Sequence, residues 1–449
     1  MNGLLALLAL ALFVGIVILV PGEGGAAVLL CLLTGIGFGA VIARSQTDRT
    51  FLLQLFVIGL LVRATIGFII YFFELQSFFG GDALTYDVSG YLMLRSWQGA
   101  GASSSVSEGG TLVWGMPYFV AAIYWVTGRN LLAVQFVNAV MGAATAPVIF
   151  LCARHIYGNL RVARVAAWFV ALFPSLVLWS SQGLKDAPVV FLLAAVMLAT
   201  LKLGERLSVK FVLVMLGAML GLLSLRFYIF YLVSAAVGGA FVIGMRQVSA
   251  QSLARQFVAV AAIGLALTYL GVLRTASAQL ETFGNLEAVQ VARSDQSKTS
   301  TSGFGQDVDV STTSGALTVI PLGLVYLLFA PFPWQLANLR QSITLPEMLV
   351  WWASFPLLCL GVYFTLRYRL RQALPILLFT ALLTMAYSVF QGNVGTAYRQ
   401  RAQLLVFYFI FVAVGAVLLK ERHEDQARLN AAHRDRRQAA RQQPLPRKV

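Results

Sequence analysis

The feature that most constrains this chain is its series of long apolar runs which, like Phe211 to Leu223, are apolar on every face. Such a run has no polar side to turn to water, and a bilayer core of ~30 Å asks for about 20 apolar residues per helical crossing. In hydrocarbon only a helix satisfies its own backbone groups, while a barrel strand would alternate apolar with polar at period two. Composition agrees, with 59% of 449 residues hydrophobic, 11% charged and a mean hydropathy of +0.79. The expectation is an all-α polytopic membrane protein.

Twelve spans are predicted, over 3 to 20, 26 to 43, 51 to 73, 131 to 153, 164 to 181, 187 to 203, 210 to 226, 228 to 245, 256 to 273, 346 to 366, 372 to 390 and 403 to 420. Two more apolar stretches, Trp114 to Val126 and Leu317 to Trp334, carry Pro117, Pro321, Pro331 and Pro333 with Trp114, Trp125 and Trp334. They read as interfacial or re-entrant, because counting them as crossings would put the basic loop 154 to 164 outside. With the amino terminus inside, loops 44 to 49, 154 to 164, 202 to 210, 246 to 255 and 367 to 371 and the tail from Lys420 hold most of the 33 Lys and Arg but a minority of the 18 acids. The net charge of +15 is therefore a topology signal, and no nucleic-acid partner is implied. Three units follow: an uncleaved hairpin over 1–50, a transmembrane domain over 51–420, and a basic cytoplasmic tail over 421–449 that touches anionic lipid.

Several features carry little chemistry. Cys31, Cys152 and Cys359 fall in separate spans, which argues against disulfides or metal ligation. His155, His423 and His433 all lie on the cytoplasmic side, so an outer site has no imidazole. Gly35-Ile36-Gly37-Phe38-Gly39 lies within a span and reads as small-residue helix packing.

The outer face is the informative one. Its polar segments are 74 to 112, 182 to 187, 274 to 316, 335 to 347 and 391 to 402, of which 274 to 316 is long enough to act as a lid. No cofactor is firmly implied; Asp307 and Asp309 in that loop leave a divalent cation open, though such acids are mostly just solvated. Gly80-Gly81-Asp82-Ala83-Leu84-Thr85-Tyr86-Asp87 places two carboxylates at the membrane surface directly after a span. Arg63 sits mid-span, Lys185-Asp186 opens one span, Arg226 closes another, and Arg399 and Arg401 precede the last. An ionisable group at membrane depth costs at least ~2.5 kcal/mol unless paired or wet. The structural reading pairs Arg63 with an acid such as Asp82 or Asp87 and makes the others interfacial anchors. Taken together on one face, these cations and carboxylates suggest a site for an anionic amphiphile, with Arg supplying planar donors to phosphate.

The spacing Asp82, Tyr86, Asp87 after a span, Pro117-Tyr118, and Tyr157-Gly158 closing the next span resemble GT-C fold glycosyltransferases. The likeness is greatest to the family 39 and aminoarabinose-transferase-like branch. Phe173-Pro174-Ser175, Gln182-Gly183-Leu184-Lys185-Asp186, Leu225-Arg226-Phe227-Tyr228 and Tyr398-Arg399-Gln400-Arg401 continue the pattern over about 51 to 420.

The resemblance implies transfer of a sugar from a polyprenyl-phosphate donor to a glycan, lipid or protein acceptor. The reaction would take place on the extracytoplasmic face of the inner membrane. Asp82 would be the base and Asp87 a second, acceptor-orienting carboxylate, with the choice between them open. Tyr86, Lys185, Asp186, Arg226, Arg399, Arg401 and Arg63 are candidates for substrate binding. The chain lacks the adjacent Asp-Glu pair of the protein mannosyltransferases and a large carboxy-terminal outer domain. An O-antigen or exopolysaccharide polymerase would use the outer arginines equally well. A lipid-linked sugar flippase or other transporter would show internal repeats and midplane charges.

Overall fold

The computed structural model describes residues 2–45, 47–79, 81–99, 115–244, 264–265, 269, 285–336 and 338–442. The basic loop expected over 246 to 255, most of the expected span 256 to 273 and residues 274 to 284 of the 274 to 316 loop lie outside these residues. The described chain is helical: α1 (Asn2–Leu19), α2 (Glu23–Ala43), α3 (Arg49–Phe72), α4 (Gln76–Phe79), α5 (Asp82–Trp97), α6 (Gly115–Thr127), α7 (Leu131–Tyr157), α8 (Leu160–Leu172) and α9 (Pro174–Ser180). After these come α10 (Asp186–Glu205), α11 (Val209–Leu225), α12 (Phe227–Gly244), α13 (Leu286–Thr299), α14 (Thr313–Phe329), α15 (Leu339–Tyr368), α16 (Leu370–Phe390), α17 (Val394–Gln400) and α18 (Ala402–Gln442).

Among the described residues seven helices are long and apolar enough to cross a membrane, namely α2, α3, α7, α10, α15, α16 and the first part of α18. The pair α8 and α9 makes an eighth if counted as one span, and α1, α11, α12 and α14 are shorter apolar helices. The chain is an all-α polytopic integral membrane protein. The continuous span expected over 164 to 181 is broken: α8 and α9 meet at a bend of 53°. Pro174 causes the break, since it has no N–H to donate and its ring disfavours a helical residue before it; Phe173 is extended, at φ −63° and ψ 126°.

Buried α7 and α18 form the centre of the bundle. Backbones approach closely where glycine removes the side chain. A Cβ at Gly361 would lie 1.9 Å from the Phe411 carbonyl oxygen and one at Gly415 2.1 Å from that of Leu357, so α15 and α18 cross almost in contact. The amino-terminal hairpin is tied on through Asn130, whose amide donates to the Glu23 carbonyl at 2.8 Å.

The two ends of the bundle differ in charge. At one end the basic loops meet: Arg164 pairs with Asp48 at 2.6 Å, Arg161 with Glu424 at 2.8 Å, and Asn159 donates to Glu421 at 3.2 Å. Tyr157 and Thr365 share a hydrogen bond of 2.6 Å there. At the other end lie α5, α6, the start of α10 and α17. Segment 74 to 112, expected to be a polar loop, contains the 16-residue helix α5. Likewise α13 occupies part of the loop expected over 274 to 316.

Candidate active site

The end away from the basic loops holds a cavity of about 720 Å³, within the ~300–1,000 Å³ usual for ligand sites. Five of the sequence candidates line it: Asp82, Tyr86, Lys185, Arg226 and Arg399. Asp186 lies just behind them, 1% exposed at the start of α10, where the helix dipole favours an anion. Arg226 donates to one of its carboxylate oxygens at 2.9 Å, and the Nε and a terminal nitrogen of Arg399 reach the other at 2.8 and 2.6 Å. The second terminal nitrogen of Arg399 donates to Asp82 at 2.6 Å. Arg226 also donates to the Tyr228 hydroxyl at 2.9 Å, and the Arg399 guanidinium lies 5.8 Å from the centre of the Trp179 ring.

Helical periodicity sorts the rest. Asp82 and Tyr86 are four residues apart on α5 and share a face, whereas Asp87, one further on, turns away. Asp87 is buried, accepts from the Tyr124 hydroxyl at 2.6 Å, and is held by Arg129 at 2.6 and 3.2 Å. It ties α5 to α6 and to the turn before α7, outside the cavity lining. Asn393 caps α17 by accepting from the Gly395 amide at 2.8 Å. Arg399 and Arg401, two apart, therefore face opposite ways. Arg401 is 2% exposed and donates to the Leu327 carbonyl at 2.6 Å, to the Ala330 carbonyl and to the Met348 sulfur, away from the cavity.

Arg63 pairs with no acid among the described residues, contrary to the expectation of Asp82 or Asp87 as partner. Its guanidinium donates to Ala171 and Val170 carbonyls at 2.6 and 3.2 Å, to the Gly59 carbonyl at 3.1 Å and to the Ser180 hydroxyl at 2.8 Å. The break at Pro174 leaves those carbonyls at the end of α8 without helical donors, and a cation suits that dipole end. Gly59 and Gly142 make the room: added Cβ atoms would sit 3.2 and 2.9 Å from guanidinium nitrogens.

Burial, with Arg226 next to it, pushes the Lys185 ammonium down to about 8. It has no ion-pair partner among the described residues. Burial and the neighbouring Asp82 carboxylate raise the Tyr86 phenol. The far wall is polar, with Ser300, Ser302, Asn338, Gln341, Asn393 and Thr396, and it carries a further cation, Arg340, which donates to the Ser77 carbonyl at 3.2 Å. Ser302 donates to Asn393 at 2.8 Å, and Gly303 and Asn393 form an isolated antiparallel bridge. Asp307 and Asp309 do not line the cavity, and Asp309 accepts from the Ser311 amide at 2.8 Å. Among the described residues no three His, Cys, Asp or Glu side chains are grouped to hold a metal ion.

The sequence reading missed Glu347, 6% exposed in α15, which accepts from the Tyr398 hydroxyl at 2.8 Å and so braces the residue before Arg399. An acid near the start of an apolar run was its signal. Trp179 beneath Arg399 had none.

No curated protein and no solved structure matches the chain at a significant level. One family model does match, over less than half of the chain. Residues 114–271 match the dolichyl-phosphate-mannose-protein mannosyltransferase family. This segment carries Lys185, Asp186 and Arg226, and with it the likeness to GT-C fold membrane glycosyltransferases is shown.

Proposed function

We infer that this membrane glycosyltransferase takes its sugar from a polyprenyl-phosphate-linked donor. It passes the sugar to a hydroxyl of a glycan, lipid or protein acceptor at the extracytoplasmic face of the inner membrane, in cell-envelope glycan or glycolipid assembly. The observation that carries this reading is one cavity in which Lys185, Arg226 and Arg399 surround a space entered, among the described residues, by a single carboxylate, Asp82. Cations at that spot stabilise a departing phosphate, and a carboxylate half open to the cavity can accept the proton of the attacking hydroxyl. With both partners held in place, positioning supplies much of the remaining acceleration. No covalent nucleophile is needed, so a single displacement with inversion is the simplest course. The Ser, Thr, Asn and Gln side chains of the far wall suit sugar hydroxyls. The segregation of basic loops to the opposite end supports an extracytoplasmic site, because basic loops stay in the cytoplasm.

The test is Asp82→Asn with a defined lipid-linked sugar. Its amide cannot take up the proton, so transfer should be lost while the protein remains folded and monodisperse. Wild-type turnover by this variant would remove Asp82 from the chemistry. Complete loss confined to Asp87→Asn would pass the role to Asp87.

A further inference from the structure

Arg399 holds two carboxylates of unequal standing. Toward Asp186 it uses its Nε and one terminal nitrogen, and that carboxylate is buried and shared with Arg226. Toward Asp82 it uses only its remaining terminal nitrogen, and the Asp82 side chain is 55% exposed. An anion entering the cavity meets the second contact, not the first. Trp179 and Asp186 keep the guanidinium in place, so its third corner stays aimed at the cavity whatever fills it. The Asp82 oxygen that meets Arg399 is occupied by that contact and is turned toward the cation.

We propose that the donor phosphate displaces Asp82 from Arg399, so that the same arginine that grips the donor releases the base. This rests on the functional reading above. In the unloaded protein the base is latched. Once donor binds, Asp82 is free: the acceptor O–H bond breaks with its proton passing to the carboxylate, the acceptor oxygen bonds to the anomeric carbon, and the sugar–phosphate bond breaks with its electron pair going to the phosphate. Donor therefore binds before a competent acceptor complex forms, and an acceptor hydroxyl is not deprotonated in a site without a sugar to receive it.

The experiment is a double-mutant cycle on the affinity for a polyprenyl monophosphate in lipid nanodiscs. Asp82→Asn removes the competitor for Arg399, and binding should tighten about threefold to fivefold, the strength of a half-exposed ion pair. Loss of a nearby negative charge alone would also tighten binding, so the same change is made in an Arg399→Gln background. There the gain should fall to less than half, leaving only that general effect of charge. A gain that persists undiminished, or no gain with Arg399 present, overturns the latch. If Arg399→Gln does not fold, Arg399→Lys replaces it; its single ammonium stays with buried Asp186, and the gain should fall to less than half. Turnover separates the two ideas: an active Asp82→Asn variant refutes Asp82 as base, whereas an inactive one without tighter binding refutes only the latch.

Discussion

Replacing Arg63 by methionine separates a structural cation from a substrate-binding one. The side chain is 1% exposed and spends its guanidinium on protein acceptors alone. Gly59 keeps a helical donor and Ser180 donates onward to Leu176, so two groups are orphaned by the change, the carbonyls of Val170 and Ala171. At ~1–3 kcal/mol for each buried unsatisfied acceptor, the loss would be about 2–6 kcal/mol. Relief of a desolvated cation offsets part of this, leaving about 2–4 kcal/mol. Methionine fills most of the volume, so little of the effect is a cavity. Unfolding of the purified protein by heat or SDS, followed by helical circular dichroism, should show a lower midpoint. Affinity for a polyprenyl phosphate, measured well below that midpoint, should be unchanged. An unaltered midpoint with weakened lipid binding would show that Arg63 touches the donor, and the account of it as a helix cap would be wrong.

Further outcomes follow from the same geometry. Arg399→Ala should weaken donor binding about tenfold to a hundredfold, as expected for a lost charge-assisted contact, while Arg401→Ala should lower stability and leave affinity in the folded fraction intact. Lys185, with its ammonium pushed down to about 8, should bind phosphate only while protonated, so donor affinity measured by titration should fall as pH rises through about 8 and lose that step in Lys185→Met. The sign for folding is opposite: a lysine lowered in the folded state costs stability when charged, so stability should rise between pH 8 and the ordinary lysine range of about 10.4. For sidedness, a lone cysteine at Ser302 should react with an impermeant maleimide in intact cells and one at Ala427 only after lysis; the reverse pattern would turn the site to the cytoplasm.

Much of the scaffold was legible because apolarity over a run of residues is a direct reading of the solvent. Pro174 even announced the break between α8 and α9, yet the run from 164 to 181 read as one span because hydropathy is blind to a missing donor. The site was harder. Reading 74 to 112 as loop made Asp82 and Asp87 equivalent, and only the helical register of α5 puts one in the cavity and the other against Arg129. The same register divides Arg399 from Arg401. Arg63 was legible as costly, but its partners are carbonyls made available by a proline far along the chain, and no pattern of charges could name them. Asp186 beside Lys185 looked like an interfacial pair; its two arginines come from 40 and 213 positions away.

The helix that follows Arg401 is 41 residues long, so α18 extends about 60 Å, twice the thickness of the hydrocarbon it crosses. It begins two residues beyond Gln400, which lines the cavity, and, near Glu421 and Glu424, is clasped by Asn159 and Arg161 at the opposite surface. A rod held at its inner clasp pivots there: a small displacement of its outer end would appear, reversed in direction, beyond that clasp. The part of α18 after Glu424 runs on past that clasp, so any tilt of the helix is magnified along its length.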